Sequence, residues 1–178
     1  MKQNLVFIAQ SIDGYIANRK NELDWLDMIP NPNQLDLGYR SFIEKVDAIV
    51  MGHNTFNTVC SFDIDWPYIQ PVFVISNSMR ELPEKYQGKV ELVNGKLSDI
   101  LEMIHSKGFE SLYIDGGKTI QSFLNEDRID ELIVSTLPIL LGGGVPLFRD
   151  LIKEQEFELL ESKVYLNNIV QNRYKRRR

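Results

Sequence analysis

The chain has 178 residues, of which 43% are hydrophobic and 25% are charged, and its formal net charge is −5. This composition and length predict one globular domain that spans residues 1–178. The acidic balance argues against general nucleic-acid binding, and no apolar run is long enough for a membrane span, so we expect a soluble, cytoplasmic protein. The single cysteine excludes an intramolecular disulfide, and two widely spaced histidines predict no metal site.

The hydrophobic pattern predicts short buried strands that alternate with helices along most of the chain. The predicted strands cover residues 5–9, 48–51, 72–75, 90–93, 111–114, 131–136, 157–161 and 168–174. The predicted helices cover residues 34–45, 54–60, 98–105 and 118–125. This alternation favours an α/β fold with three αβα layers and a mostly parallel central sheet. The last two strands follow each other without a helix, which predicts an antiparallel C-terminal edge.

One turn between a predicted strand and a predicted helix is typical of a phosphate site. The turn contains two glycines and consists of Asp115, Gly116, Gly117, Lys118, Thr119 and Ile120. The first N–H groups of a helix lack partners within the helix, and glycine lets a phosphate approach them closely. A P-loop is excluded because position 112, which would have to be glycine, is leucine. A tight turn without a ligand remains the alternative.

Two further strand ends carry small or polar residues. The first consists of Gly52, His53, Asn54 and Thr55, and the second contains Ser76 and Asn77. Either segment alone is explained by helix capping or by a turn. In open α/β sheets ligands bind beyond the carboxyl ends of the strands, so the three segments together predict a dinucleotide site. The glycine-rich residues 137–148 are either a chain reversal or a wall of that pocket.

The order and spacing of these segments resemble the dihydrofolate reductase-like fold over essentially the whole chain. Within that fold, the chain is most similar to the reductase domain of bacterial riboflavin biosynthesis and its bacterial relatives. The similar motifs lie at residues 11–17, 24–26, 51–56, 75–78, 115–117 and 137–148. Two positions depart from the pattern. His53 stands where the family has an arginine that contacts NADPH, and Tyr15 stands where the riboflavin reductases carry a lysine.

The resemblance implies an NADPH-dependent reductase that transfers a hydride to a small heterocyclic substrate, and it implies a homodimer. It places the adenosine 2′-phosphate at Ser76 and Asn77, and the pyrophosphate at the turn that begins with Asp115. It places the nicotinamide beside Ala9, Ile16 and Gly117. Residues 13–25 are expected to form a lid over the ring.

The substrate wall is expected to contain Trp25, Asp36, Tyr39 and Phe42. Asp36 precedes Gly52 by 16 residues, and the catalytic acid of dihydrofolate reductases has a similar spacing. The alternative for Asp36 is an exposed helix residue that pairs with Arg40. Two other functions remain open, a non-catalytic NADP-binding module and a dihydrofolate reductase proper. The basic residues 173–178 are expected to form a solvated, frayed tail.

Overall fold

The computed structural model describes residues 2–178, which form ten strands and four α-helices. The strands are β1 (Gln3–Ser11), β2 (Tyr15–Ala17), β3 (Ala48–Gly52), β4 (Val72–Ile75), β5 (Val90–Val93), β6 (Ser111–Asp115), β7 (Glu131–Leu137), β8 (Val145–Pro146), β9 (Phe157–Tyr165) and β10 (Ile169–Arg176). The helices are α1 (Tyr39–Ile43), α2 (His53–Cys60), α3 (Leu97–Ser106) and α4 (Gly117–Asn125).

Eight strands form the central sheet in the order β5-β4-β3-β6-β1-β7-β10-β9, while β2 and β8 form a small second sheet. The first six strands in that order are parallel. β10 pairs with both β7 and β9 in the antiparallel direction, so the C-terminal pair forms an antiparallel edge. The predicted fold class, a mostly parallel sheet with this edge, is confirmed.

Two apolar clusters lie on opposite faces of the sheet and make the fold three layers thick. Residues of α3 and α4 pack on one face, where Ile104, Ile120 and Phe123 are fully buried. α1 and α2 supply Phe42 and Phe56 to the cluster on the other face. The central strands are apolar on both sides because helices cover both faces. This arrangement directs the carboxyl ends of the parallel strands to one edge of the sheet.

The predicted helix over residues 34–45 is wrong in its first half. Leu37 and Gly38 both have positive φ angles, of 53° and 87°, which interrupt a right-handed helix. The helix therefore begins only at Tyr39. The carboxylate of Asp36 accepts hydrogen bonds from the backbone N–H groups of Gly38 and Arg40, at 3.1 and 2.8 Å. Asp36 thus stabilises the turn that leads into α1 rather than lying within a helix.

The expectation of a frayed basic tail is also wrong, because β10 extends to Arg176 and its side chains pair with acidic groups. Arg176 is almost fully buried and its Nε lies 2.7 Å from the Asp127 carboxylate. Arg173 binds both carboxylate oxygens of Glu131, at 2.7 and 2.8 Å. Bidentate arginine–carboxylate pairs are the stronger kind of ion pair, so they fix the end of the chain on the sheet.

The glycine-rich residues 137–148 are held against the loop that follows β1. The Asp13 carboxylate accepts hydrogen bonds from the backbone N–H groups of Leu141 and Gly142, at 3.0 and 2.8 Å. A Cβ on Gly144 would collide with the carbonyl oxygen of Ala17, so only glycine permits this approach. These contacts fix the start of the predicted lid. Within residues 2–178, no helix has the length and apolar character that crossing a membrane requires.

Candidate active site

A cavity of about 950 Å³ opens at the carboxyl ends of β1, β3, β4, β5 and β6. Its lining runs from the loop after β5 to the middle of β1. Four strand spacings separate β5 from β1, which at ~4.8 Å each corresponds to roughly 19 Å. The cavity is therefore long enough for an extended ligand. We refer to the part beside β4 and β5 as the nucleotide end and to the part beside β1 as the substrate end.

The centre of the cavity lies where β3 and β6 end and α2 and α4 begin. Gly116 has a φ of 90°, and a Cβ at this position would collide with the Thr55 hydroxyl. A Cβ on Gly52 would lie 3.0 Å from the Thr119 hydroxyl oxygen. The two turns are therefore in close contact, and glycine is required at 116 both by the backbone angle and by the space.

Three helix N-termini line this cavity, those of α2, α3 and α4. Their N-cap residues are Gly52, Lys96 and Gly116, and none of these makes a side-chain capping hydrogen bond. The first backbone N–H groups of these helices therefore receive no hydrogen-bond acceptor from the side chain of the N-cap residue. Together with the helix dipoles, such groups attract anions, so the centre and the nucleotide end are suited to phosphate groups.

The nucleotide end also contains a polar turn after β4. The Ser76 hydroxyl oxygen accepts hydrogen bonds from the backbone N–H groups of Ser78 and Met79, at 3.2 and 2.9 Å. Ser76 is buried, whereas Asn77 and Ser78 are exposed to the cavity they line. Lys96, the N-cap of α3 after the neighbouring strand β5, lines the same end and supplies a positive charge. Two hydrogen bonds thus hold the turn, and its polar groups line the same cavity as Lys96.

The substrate end is aromatic and apolar apart from one acid. Its lining side chains are Phe7, Leu23, Leu26, Tyr68, Tyr113 and Asp115. The Tyr113 hydroxyl donates a hydrogen bond to the Phe7 carbonyl at 3.0 Å. Behind these residues, Phe42 packs edge-to-face on Tyr113 with a centroid distance of 5.0 Å. Planar apolar walls of this kind suit a flat ring.

Asp115 is the acid of the substrate end, at the last position of β6. Burial raises the pKa of its carboxyl to about 6, although the hydrogen bond from the Gly116 N–H opposes the rise. The Gly116 N–H donates to Oδ1 at 2.8 Å. The proximity of Asp115 also adds to the effect of burial in raising the pKa of Tyr39, to about 12. Perturbed carboxyl groups in a cleft are typical of sites that transfer protons.

Nearly all residues predicted to bind the cofactor line this one cavity. They are Ala9, Ile16, Gly52, His53, Asn54, Thr55, Ser76, Asn77, Asp115, Gly116, Gly117, Lys118 and Thr119. Ile120 does not line it, because its side chain points into the core between α4 and the sheet and is fully buried. The structure thus brings the three predicted strand-end segments together at one place.

The four residues expected to form the substrate wall do not line the cavity, which corrects their expected positions. Trp25 is buried against Leu137 and Ile169 and does not line the cavity. Tyr39 and Phe42 lie one layer behind it, in the aromatic cluster around Phe7. Asp36 is exposed, and hydrogen bonds from the backbone N–H groups of Arg40 and Gly38 keep its pKa below the ordinary value.

The sequence reasoning missed the aromatic residues Phe7, Tyr68 and Tyr113, as well as Leu26 and Lys96. Phe7 and Tyr113 lie within predicted strands, where an aromatic residue is explained by the core alone. Tyr68 lies in the loop before β4, in a segment without a recognisable motif. Only Leu26 gave a usable signal, because it belongs to the segment 24–26 that the resemblance identified.

Comparison with known proteins agrees with this architecture. A profile of the RibD C-terminal domain matches residues 5–171, so the chain belongs to that family. YwjB, an uncharacterised protein of Bacillus subtilis (strain 168), is 31% identical over 92% of each chain. A Shewanella sp. PV-4 protein, provisionally named for riboflavin biosynthesis, has a crystal structure that is similar to this fold. Its sequence is 54% identical to this chain, the match covers 99% of each chain, and the TM-score is 0.96.

More distant structures share the fold. A Thermotoga maritima protein named as a deaminase and 5-amino-6-(5-phosphoribosylamino)uracil reductase is 12% identical with a TM-score of 0.74, and this chain covers 57% of it. Enterococcus faecalis dihydrofolate reductase, solved with NADP(H), is 16% identical with a TM-score of 0.66 over 97% of its chain. The expected dihydrofolate reductase-like fold is therefore confirmed, and family and fold together support a reductase-like function.

Proposed function

We propose that the protein is an NADPH-dependent reductase that transfers a hydride to a small unsaturated heterocycle. The observation that carries this proposal is the division of one elongated cavity into two chemically different ends. Uncapped helix N-termini and a lysine lie at its centre and nucleotide end, whereas aromatic side chains and an acid lie at its substrate end. A dinucleotide with two phosphate groups and a nicotinamide ring matches this order.

The residues at the centre fit a pyrophosphate. Because Gly116 carries no Cβ, the Thr55 hydroxyl and the first turn of α4 approach each other at a point where an anion can accept from both. The 2′-phosphate of NADPH would lie at the Ser76 turn, with Lys96 as its cation. Lys96 would thereby supply the positive charge that the family's arginine, here His53, supplies at the cofactor. When bound, the reduced nicotinamide supplies the hydride.

The chain's own contribution to the chemistry is orientation, exclusion of water and a proton. The walls formed by Phe7 and Tyr113 hold the substrate ring flat against the sheet edge. Leu23 comes from the expected lid and Leu26 follows directly after it, and both cover the ring from the other side. When the Asp115 carboxyl takes up a proton at the oxygen that Gly116 does not bind, it gives this proton to the ring atom beside the carbon that receives the hydride.

The overall change then balances, since the ring gains one hydride and one proton while the cofactor is oxidised. Asp115 regains its proton from solvent. The route through Asp36, which a dihydrofolate reductase proper would imply, has no support because Asp36 lies outside the cavity and its pKa is lowered. A non-catalytic NADP-binding module would not need a perturbed acid at the aromatic end.

The test is NADPH consumption by the full chain with pterins, pyrimidines and quinones, combined with an equilibrium titration of NADPH. We expect saturable NADPH binding and steady turnover with at least one ring compound. Binding without turnover of any compound would favour the non-catalytic module. Failure to bind NADPH or NADH at millimolar concentration would overturn the proposal altogether.

A further inference from the structure

We propose that the ring reduced by this protein carries no phosphate group and binds as an uncharged planar heterocycle. This inference rests on the proposed function, and it concerns the substrate end of the same cavity. It follows from where the structure places positive charge, where it places negative charge, and which neutral polar groups remain for the substrate.

The basic side chains that line the cavity all lie at helix N-termini. His53 is the first residue of α2, Lys96 is the N-cap of α3, and Lys118 is the second residue of α4. A dinucleotide phosphate bound at these N-termini would occupy their charge. Among the described residues that line the substrate end, none is basic. A phosphate on the substrate would therefore have no cation with which to pair there.

The one charged side chain at the substrate end is an acid. Asp115 is half-buried between Tyr113 and the Gly116 turn, and no ion pair with it is found among residues 2–178. A phosphate monoester carries roughly two negative charges at neutral pH. Bringing it beside an unpaired carboxylate in a partly dry cavity is unfavourable, because like charges repel most strongly where water is excluded. The acid thus selects against a phosphorylated substrate.

The remaining polar groups are phenols, which are neutral. Burial, reinforced by the charge of Asp115, raises the pKa of Tyr68 and the pKa of Tyr113 well above the ordinary value. Both side chains therefore stay protonated at neutral pH. The Tyr113 proton is already donated to the Phe7 carbonyl, which leaves the Tyr68 hydroxyl to bind a substrate carbonyl or ring nitrogen. Neutral donors on aromatic walls suit an uncharged ring.

This arrangement separates the chain from the Thermotoga maritima protein, whose name states a phosphoribosylated substrate. The test uses that compound, 5-amino-6-(5-phosphoribosylamino)uracil, together with its dephosphorylated form, and the pairs riboflavin with FMN and uridine with UMP. Each pair differs by one phosphate. The measurements are kcat/KM, or the affinity for the NADP⁺-bound protein where no turnover occurs.

We expect at least one unphosphorylated compound to bind, and to exceed its phosphorylated partner by about tenfold or more. Tighter binding or faster turnover of any phosphorylated partner would overturn the inference, as would failure of all unphosphorylated compounds to bind to protein that binds NADP⁺. The titration of NADPH, made first, keeps these outcomes distinct from failure of the proposed function.

A charge-introducing variant sharpens the test. Leu26→Lys places a cation at the rim of the substrate end, where Leu26 is 37% exposed. We expect this variant to shift the ratio within each pair toward the phosphorylated compound by about tenfold. Leu160→Lys on β9 is the matched control, since Leu160 is 45% exposed and lies outside the cavity. An unchanged ratio in Leu26→Lys, or an equal shift in the control, would contradict the inference.

Discussion

The two ends of the cavity are built in different ways. The centre and nucleotide end rely on the backbone, with helix N-termini and glycines that lie within short contiguous segments. The substrate end relies on side chains that come from distant parts of the chain, such as Phe7, Tyr68 and Asp115. The first design suits phosphate groups, which are common to many dinucleotides. The second design allows the substrate preference to change through substitution of one side chain at a time.

This difference predicts how the two ends respond to mutation. A change at the backbone-built centre should remove cofactor binding altogether, because several N–H groups depend on one local conformation. A change at the substrate end should alter the rate or the choice of substrate while the cofactor still binds. The following experiments separate the two responses, beginning with the largest expected effect.

Gly116→Ala should lower the affinity for NADPH at least a hundredfold. The added Cβ would collide with the Thr55 hydroxyl and force apart the turns that end β3 and β6. Gly88→Ala is the matched control, because Gly88 also has a positive φ, of 79°, but has open space around its missing Cβ. Both variants place a side chain at a positive φ, which costs roughly 1–3 kcal/mol each.

Equilibrium titration of NADPH and urea unfolding should be measured on both glycine variants. We expect Gly88→Ala to bind NADPH normally and Gly116→Ala to remain folded without binding it. Equal affinities in the two folded variants would show that the turn at Gly116 does not bind the cofactor.

Asp115→Asn should lower kcat by about 100-fold, the lower end of the usual contribution of a general acid, and leave NADPH affinity unchanged. In the wild type, turnover should fall as the pH rises through about 6, because the carboxyl then loses its proton. The variant should lack this decline. The pH dependence of kcat/KM for both proteins checks the prediction, and an identical profile would remove Asp115 from the reaction.

The same acid has a consequence for stability. Its pKa is 3.8 in an unperturbed chain and about 6 in the fold, so the folded state binds more protons between these pH values. Stability therefore decreases as the pH rises from about 4 through 6. Asp115→Asn should consequently be more stable than the wild type at neutral pH, by on the order of 1 kcal/mol. Urea unfolding at several pH values measures this, and a less stable variant would contradict it.

Lys96→Ala should weaken NADPH binding by about tenfold and leave NADH binding unchanged, since only NADPH carries the 2′-phosphate. Lys89→Ala is the matched control, because Lys89 is exposed near β5 and does not line the cavity. Parallel titrations with NADPH and NADH give the ratio of the two affinities directly for each variant. An equal loss for both cofactors would place Lys96 away from the 2′-phosphate.

Asp36→Ala should have the smallest effect on activity, with kcat unchanged. Its carboxylate accepts hydrogen bonds from Gly38 and Arg40 at the start of α1, so its loss should cost ~1 kcal/mol of stability. Steady-state kinetics and thermal unfolding of the variant test this. A large loss of kcat at normal stability would restore Asp36 as the acid.

The contrast between the two ends also explains how far the sequence could be interpreted. The strands and the three strand-end segments were predictable, because buried strands form continuous apolar runs and helix starts after glycine follow local rules. The first half of the helix predicted over residues 34–45 was wrong, since the apolar spacing gave no sign of the positive φ angles at Leu37 and Gly38. Local patterns do not reveal a backbone conformation that tertiary packing imposes.

Long-range pairing limited the prediction in the same way at the C-terminus. The ion pairs of the basic tail could not be predicted from local sequence, because the acidic partners Asp127 and Glu131 lie more than forty residues earlier in the chain. Tyr68 was missed for a similar reason, since its place in the cavity depends on a loop without a motif. Contacts between distant side chains determine the substrate end, so sequence alone could not identify it.

A crystal structure of the protein with NADPH tests the central claim most directly. The account predicts the adenosine beside Ser76 and Lys96, the pyrophosphate at the first turn of α4, and the nicotinamide between Phe7 and Gly117 near Asp115. A cofactor bound in the reverse direction, with its adenine at the aromatic end, would contradict the account, as would a cofactor bound outside this cavity.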